Sequence, residues 1–246
     1  MEKVRRKIYG FETIRNKKGT KTMKYEIKGG NLPVVICKLA ENEAIVCEGG
    51  SMSWMSDNLE MSTSGGGLKK GLGRMFSGDN AFQNTYVAKG GPGFIALASS
   101  FPGTINAVQI TPERPMIVQG SAFLGSEKSV DMNAYLQKKF SVGALGGKGF
   151  VMQKLSGSGI AFYEISGHGI EYNLRAEQSI IVEPGHLVAM DTTVNIDIVV
   201  VQGLKNKLVG GEGLTNIKLT GPGRVILQTM PIANLAGAVA PYMVNA

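Results

Sequence analysis

Gly66 and Gly71 carry the glycine spacing of a phosphate-binding loop, GxxxxGK[ST], in which backbone N–H groups wrap the phosphates while the lysine neutralises them. Leu72 stands where that lysine is required. Around Lys148 the pattern also fails, because Val142 holds the first glycine position and Gly149 follows the lysine. Histidine is confined to His168 and His186. His186, in VEPGHLVAM, lacks the HxH pair of a cupin metal site, and His168, in ISGHGI, reads as a turn residue. A triad of the two histidines with Glu171 or Glu183 is the alternative reading, a metal site. No GxSxG elbow, HExxH helix or CxxC pair occurs, so no catalytic residue, metal ligand or cofactor is expected.

The stretch SGGGLKKGLGRMFSGD, residues 64 to 79, has a second chemistry. On a helical wheel Leu68, Leu72, Met75 and Phe76 fall within an arc of about 100°, with Lys69, Lys70 and Arg74 off it. Such a face suits an interfacial helix. Four apolar side chains contribute about 1.5 to 3 kcal/mol each when buried, whereas ordering a segment broken by Gly71 and Gly73 costs ~1 to 2 kcal/mol per residue. Membrane attachment through this stretch alone is marginal, and these seven residues are expected to contact protein, with a weak membrane contact as the alternative.

The elements that must position these residues are strands. The chain has 246 residues, 43% hydrophobic and 18% charged, the make-up of a packed globular protein. Its 34 glycines without a collagen period imply many tight turns. The net charge of +7 sits almost entirely in residues 1 to 22, where eight cations face Glu2 and Glu12. That leader reads as a solvated basic extension before Met23, and the near-neutral remainder argues against a phosphate-binding stripe. No apolar window spans a membrane and no signal peptide precedes the first strand, so a cytoplasmic location is expected. Cys37 and Cys47 flank Ala40 to Glu43, read as a hairpin turn, and are expected as reduced core thiols. Period-2 alternation marks strands at Tyr25 and Ile27, Val194 to Val200, and Ile217 and Leu219. Helix is expected at 68 to 76, at 130 to 140 and in the tail between Pro231 and Pro241.

The chain also repeats itself. KGFVMQKLSGSGIAFYE (148 to 164) matches EGLTNIKLTGPGRVILQ (212 to 228) without a gap at an offset of 64, and DNAFQNTYVAKGGPGFIALAS (79 to 99) supplies a third copy after one inserted residue. A strand, glycine corner and strand recur as AIVCEGGSMSWMS, MIVQGSAFLGS and SIIVEPGHLVAMD. Trp54 then stands where the third unit has Ala189, and core filling is its expected role. Self-similarity at this spacing outranks any single motif.

The EGGSMSWM corner, the glycine-rich insert ending RMFSG, FQNTYVA, GPGFIALASSFPGTI and GGKGFVMQKLSGSG together resemble the mitochondrial-biogenesis ("altered inheritance of mitochondria") family, over roughly residues 23 to 240. The resemblance implies a tryptophan RNA-binding attenuator protein-like (TRAP-like) fold with no enzymatic activity and no settled molecular function. None of the attenuator's base-contacting residues can be placed on this chain.

The reading is therefore an all-β protein, a β-sandwich or short double-stranded β-helix built from three internal repeats with few short helices. After the extension 1–22, a single β domain runs over 23–246, with repeats near 32–110, 111–174 and 175–230 and a tail 231–246. The expected function is a non-catalytic scaffold or interaction module that assembles as a homo-oligomer. RNA binding by fold analogy is the alternative, and a small-molecule- or metal-binding enzyme the second alternative.

Overall fold

The computed structural model describes residues 23–64, 83–135, 151–200 and 215–243. Most of them lie in strands. After β1 (Lys24–Lys28), the first repeat runs β2 (Val34–Leu39), β3 (Ala44–Glu48), β4 (Met52–Met55), β5 (Leu59–Ser64), β6 (Gln83–Ala88) and β7 (Gly93–Ala98). The second runs β8 (Gly103–Ile110), β9 (Met116–Gln119), β10 (Phe123–Glu127), β11 (Val130–Ala134), β12 (Met152–Gly157) and β13 (Gly159–Ser166). The third runs β14 (Gly169–Leu174), β15 (Ser179–Val182), β16 (Leu187–Asp191), β17 (Asn195–Val200), β18 (Thr215–Thr220) and β19 (Gly223–Gln228). Helix α1 (Ile232–Val239) closes the described chain. It begins straight after Pro231, whose fixed φ suits a helix start.

The strands form antiparallel sheets in the orders β1-β2-β7-β4, β5-β6-β3-β10-β13-β8, β11-β12-β9-β16-β19-β14 and β15-β18-β17. Each repeat is a sandwich of two triads: its first, fourth-from-last and last strands (β2, β4 and β7 in the first repeat) lie in one sheet, and the other three in the next. Consecutive repeats are fused by a shared sheet, in which β3 pairs with β10 and β9 with β16. The repeats accordingly run over 34–98, 103–166 and 169–228, earlier than the sequence spacing suggests. β8 and β14 belong with the repeats that follow because their ladders are to β13 and β19.

Three apolar cores lie between successive sheets. β2 shows how the sequence builds them: in VVICKL, Val35, Cys37 and Leu39 turn inward while the intervening residues stay half-buried, the period-2 pattern of a strand with one core face. β13 is buried along its whole length. Its Ile160 and Phe162 enter the first core and its Ala161, Tyr163 and Ile165 the second, so it reads as the continuous apolar run of a doubly covered strand.

Two local readings are corrected. Ala40 to Glu43 is not a hairpin turn but a corner between sheets, because β2 already has β1 on one side and β7 on the other and leaves β3 no edge to pair with. The corner closes through Glu43 N–H to Ala40 O at 2.9 Å and Ala40 N–H to the Glu43 carboxylate at 2.6 Å, with Asn42 at φ 63°. Arg175 to Gln178 repeats it, with Glu177 also at φ 63° and Arg175 N–H donating to Gln178 Oε1 at 3.0 Å. Second, residues 130 to 134 are strand rather than helix: β11 pairs along β12 and sends Val130 into the second core. The expected helix at 68 to 76, and the remainder of that at 130 to 140 beyond Tyr135, lie outside the described residues. The glycine pairs of the three copies share one place, the corner leading into β7, β13 and β19. Their dihedrals differ: the left-handed residue is Gly91 or Gly157 in two copies and Gly223 in the third.

Cys37 and Cys47 are free, buried thiols that reach the first core from opposite sheets. Burial pushes Cys47 from 9.0 up to about 12, and burial, then the neighbouring Cys47, pushes Cys37 well up.

A thiol reagent at mildly alkaline pH should label neither cysteine in the folded chain and both after denaturation, as read by mass spectrometry; rapid labelling of native protein would contradict the burial. Because the unfolded chain releases the Cys47 proton near 9.0 and the folded chain holds it to about 12, stability should fall as the pH rises through that window. Phe162→Ala, at a residue with no exposure, should destabilise by about 3–5 kcal/mol in denaturant melts. Tyr172→Ala, at an exposed residue, should stay within about 0.5 kcal/mol.

Candidate functional site

The carboxylates that could do chemistry are held by the backbone of the repeat corners. Glu127 Oε2 accepts the Ile160 N–H at 2.7 Å and its Oε1 the Met23 N–H at 2.7 Å. Asp191 Oδ2 accepts the Arg224 N–H at 2.9 Å, and in the first repeat the hydroxyl of Ser56 accepts the Phe94 N–H at 3.0 Å. These three bonds are one device: an acceptor at the end of β4, β10 or β16 holds the N–H just past the glycine corner that opens β7, β13 or β19. A second device joins repeat to repeat. The buried Glu164 carboxylate accepts the Ser99 hydroxyl at 2.6 Å and the Ser100 N–H at 3.1 Å, while Gln228 Oε1 accepts the Ser166 N–H at 3.0 Å. A carboxylate that accepts backbone N–H groups is a structural anion, stabilised where it sits.

The two histidines differ in role. His186 Nδ1 donates to the Gln228 carbonyl at 2.7 Å, and its Nε2 lies 3.5 Å from Glu183. His168 is exposed in its turn, where its N–H donates to Thr229 Oγ1 at 2.8 Å. Glu171 faces Arg224 at 3.7 Å rather than a histidine. Among the described residues no group of three or more His, Cys, Asp or Glu side chains is placed to hold a metal ion. No helix among them is long and apolar enough to cross a membrane.

The seven residues singled out for a partner or membrane contact, Leu68 to Lys70, Leu72 and Arg74 to Phe76, lie outside the described residues. Their flanks are placed: Ser64 pairs with Gln83, so the segment connects the two strands of an antiparallel hairpin. The connectors of the other repeats do the same between Ala134 and Gln153 and between Val200 and Thr215.

What the sequence reading missed is apolar surface on strands. Trp54, expected to fill the core, is 48% exposed on the edge strand β4. Its repeat counterpart Ala189 is buried because β16 lies inside a six-stranded sheet, whereas β4 has a neighbour on one side only among the described strands. Ile181, on the edge strand β15, is 62% exposed. The available signal was composition: MSWM and SIIV hold no charged residue and no proline, the two features with which natural sheets guard an edge.

Residues 25–230 match the family described as Mitochondrial biogenesis AIM24. An uncharacterized protein of Streptococcus pyogenes serotype M6 is 26% identical over 221 residues, which cover 86% of this chain and 87% of that protein. A crystal structure of a Streptococcus pyogenes protein superposes with a TM-score of 0.74 at 24% identity, covering 90% of this chain and all of the other, and so has a similar fold. With the family pattern spanning the strands from β1 through β19, the chain belongs to the Mitochondrial biogenesis AIM24 family.

Proposed function

We propose that the chain is a non-catalytic interaction module that works by assembling, in the cytosol, with protein. The observation that carries this reading is the contrast between its polar and its apolar groups. Glu127, Asp191 and Glu164 and the ring of His186 are engaged in holding corners and joints, while large apolar side chains, Trp54 and Phe94 on the first sheet and Ile181 on the last, stand exposed. Exposed apolar groups gathered on particular faces mark contact sites. The sharing of sheets between successive repeats supports placing the fold among the TRAP-like β architectures, and the likeness is one of architecture only.

The RNA reading draws on one feature, the basic leader, and is separable from the β body. If RNA binds through it, deleting residues 1 to 22 should abolish binding that was steeply salt-dependent beforehand, in a filter or anisotropy assay. Sequence-selective binding retained by the truncated chain would instead favour an RNA function for the body.

Light scattering on the purified chain should give a mass above that of one 26.1 kDa chain. The double variant Leu72→Ser, Phe76→Ser should weaken assembly or partner capture and leave the β circular dichroism unchanged. If wild type pellets with anionic liposomes, the variant does not, and both keep the same oligomer size, then the stretch 68 to 76 is a membrane contact and its assignment to protein contact is wrong.

A further inference from the structure

The sheet-sharing rule that fuses the repeats is left unfinished at the first and the last of the described sheets. The third strand of each sheet's leading triad pairs with the third strand of the following repeat: β3 with β10, then β9 with β16. By the same rule β15 is the next donor and β4 the first acceptor, yet among the described strands each has a single hydrogen-bonded neighbour, β18 and β7. We infer that β15 of one copy pairs with β4 of a second copy, continuing the sheet head to tail. This deepens the interaction-module reading and rests on it.

The register of that joint follows from the two internal ones. Gly125 lies opposite Cys47 and Ser126 opposite Val46 in the first, and Ala189 lies opposite Val118 and Met190 opposite Ile117 in the second. All three acceptor strands carry a bulge at one place, with Met52 and Trp54, Phe123 and Gly125, and Leu187 and Ala189 flanking the extra residue. Trp54 is thereby the counterpart of Gly125 and Ala189. On the donor side Ile181 opposite Lys218 is the counterpart of Ile117 opposite Lys154, and of Val46 opposite Thr85. The joint therefore sets Val182 against Trp54 and Ile181 against Met55.

Side-chain volume supports the same joint. Gly125 lies opposite Phe162, Ala189 opposite Ile226 and Trp54 opposite Ala96. Each pair combines one large and one small residue, and in the first repeat the large one has changed strands. Phe162 enters the first core and Ile226 the second, in each case the core of the preceding repeat. Trp54 has no preceding repeat among the described residues and stands exposed. Its place by this pattern is the third core of a second copy, under β15.

Edge chemistry separates these two strands from most other sheet margins. β1, β5, β11, β14 and β17 carry charged residues, among them Lys24, Glu60, Asp131, Glu171 and Asp197. β4 and β15 carry none, and β8 is the other uncharged margin. One internal feature is not reproduced: Ala98 occupies the place of Glu164 and Gln228 and offers no acceptor for a backbone N–H, so the joint between copies is weaker than the joints within one. A heterologous contact of this kind closes into a ring or extends as a filament.

The test mixes a Met55→Cys chain with an Ile181→Cys chain under oxidising conditions, with Glu60→Cys in place of Met55→Cys as control, and follows the mass of wild type and of Ile181→Lys. The joint predicts a disulfide-linked pair of chains in the first mixture alone. It also predicts that Ile181→Lys falls to the mass of one 26.1 kDa chain with its β circular dichroism unchanged, and Trp54→Ser serves as the second variant should that lysine disturb folding. If wild type assembles, neither variant changes its size and no cross-link forms, the joint is wrong and the interaction-module reading stands. A double variant, Met55→Cys with Ile181→Cys, that closes within a monomer would overturn the second copy as occupant. A wild type that stays monomeric and cross-links nothing would overturn both the joint and self-assembly.

Discussion

A strand's edge is a row of N–H and C=O groups that must find partners, and the whole architecture follows from where that requirement is met. Neither six-stranded sheet is completed by one repeat, because each repeat contributes a triad to two sheets and the central sheets join the triads of neighbours. An unpaired backbone group kept from water costs about 1–3 kcal/mol, so a shared six-stranded sheet is a stronger bond between repeats than contact between finished domains. The apolar cores then follow: once β10 and β13 extend the sheet begun by β3, their two faces must be covered, and Phe162 and Tyr163 point into different cores from adjacent positions.

The sequence made the period visible because glycine corners and alternating strands are local. The offset between Gly157 and Gly221 marks the corner that each repeat uses to pass from one sheet to the next, and the strand from Asn195 needs only its own residues to be recognised. Pairing is not local, and there the reading failed. Cys37 and Cys47 looked like hairpin neighbours because nothing in VVICKLAENEAIVCE shows that β2 is flanked by β1 and β7. Trp54 looked like core because its counterparts are core, and only the order of the sheets reveals that its strand comes first in the series. The segment holding Leu68 to Phe76 stands out by what it contains, whereas the edges MSWM and SIIV are marked only by what they lack, charge and proline, over four residues each.

The acidic residues show how one chemical role can be met by different side chains. Ser56, Glu127 and Asp191 hold the same backbone N–H in successive repeats. The task asks for an acceptor oxygen rather than a charge, so the residue type drifts while the bond remains. Arg224 is drawn into this arrangement in the third repeat, where it lies 3.7 Å from both Glu171 and Asp191, and half-exposed pairs of this length add little to stability.

The shared sheets also set a timetable for synthesis. β3 is complete at Glu48, but the partner for its far edge begins at Phe123, 75 residues later. At ribosomal speeds of about 5–20 residues per second, that edge waits some 4–15 s, and the matching edge of β9 waits in turn for β16. A nascent chain therefore carries a moving adhesive margin toward its growing end, covered each time the next repeat emerges. On polysomes, where neighbouring chains trail one another at close range, that margin is the place where a chaperone would be needed most.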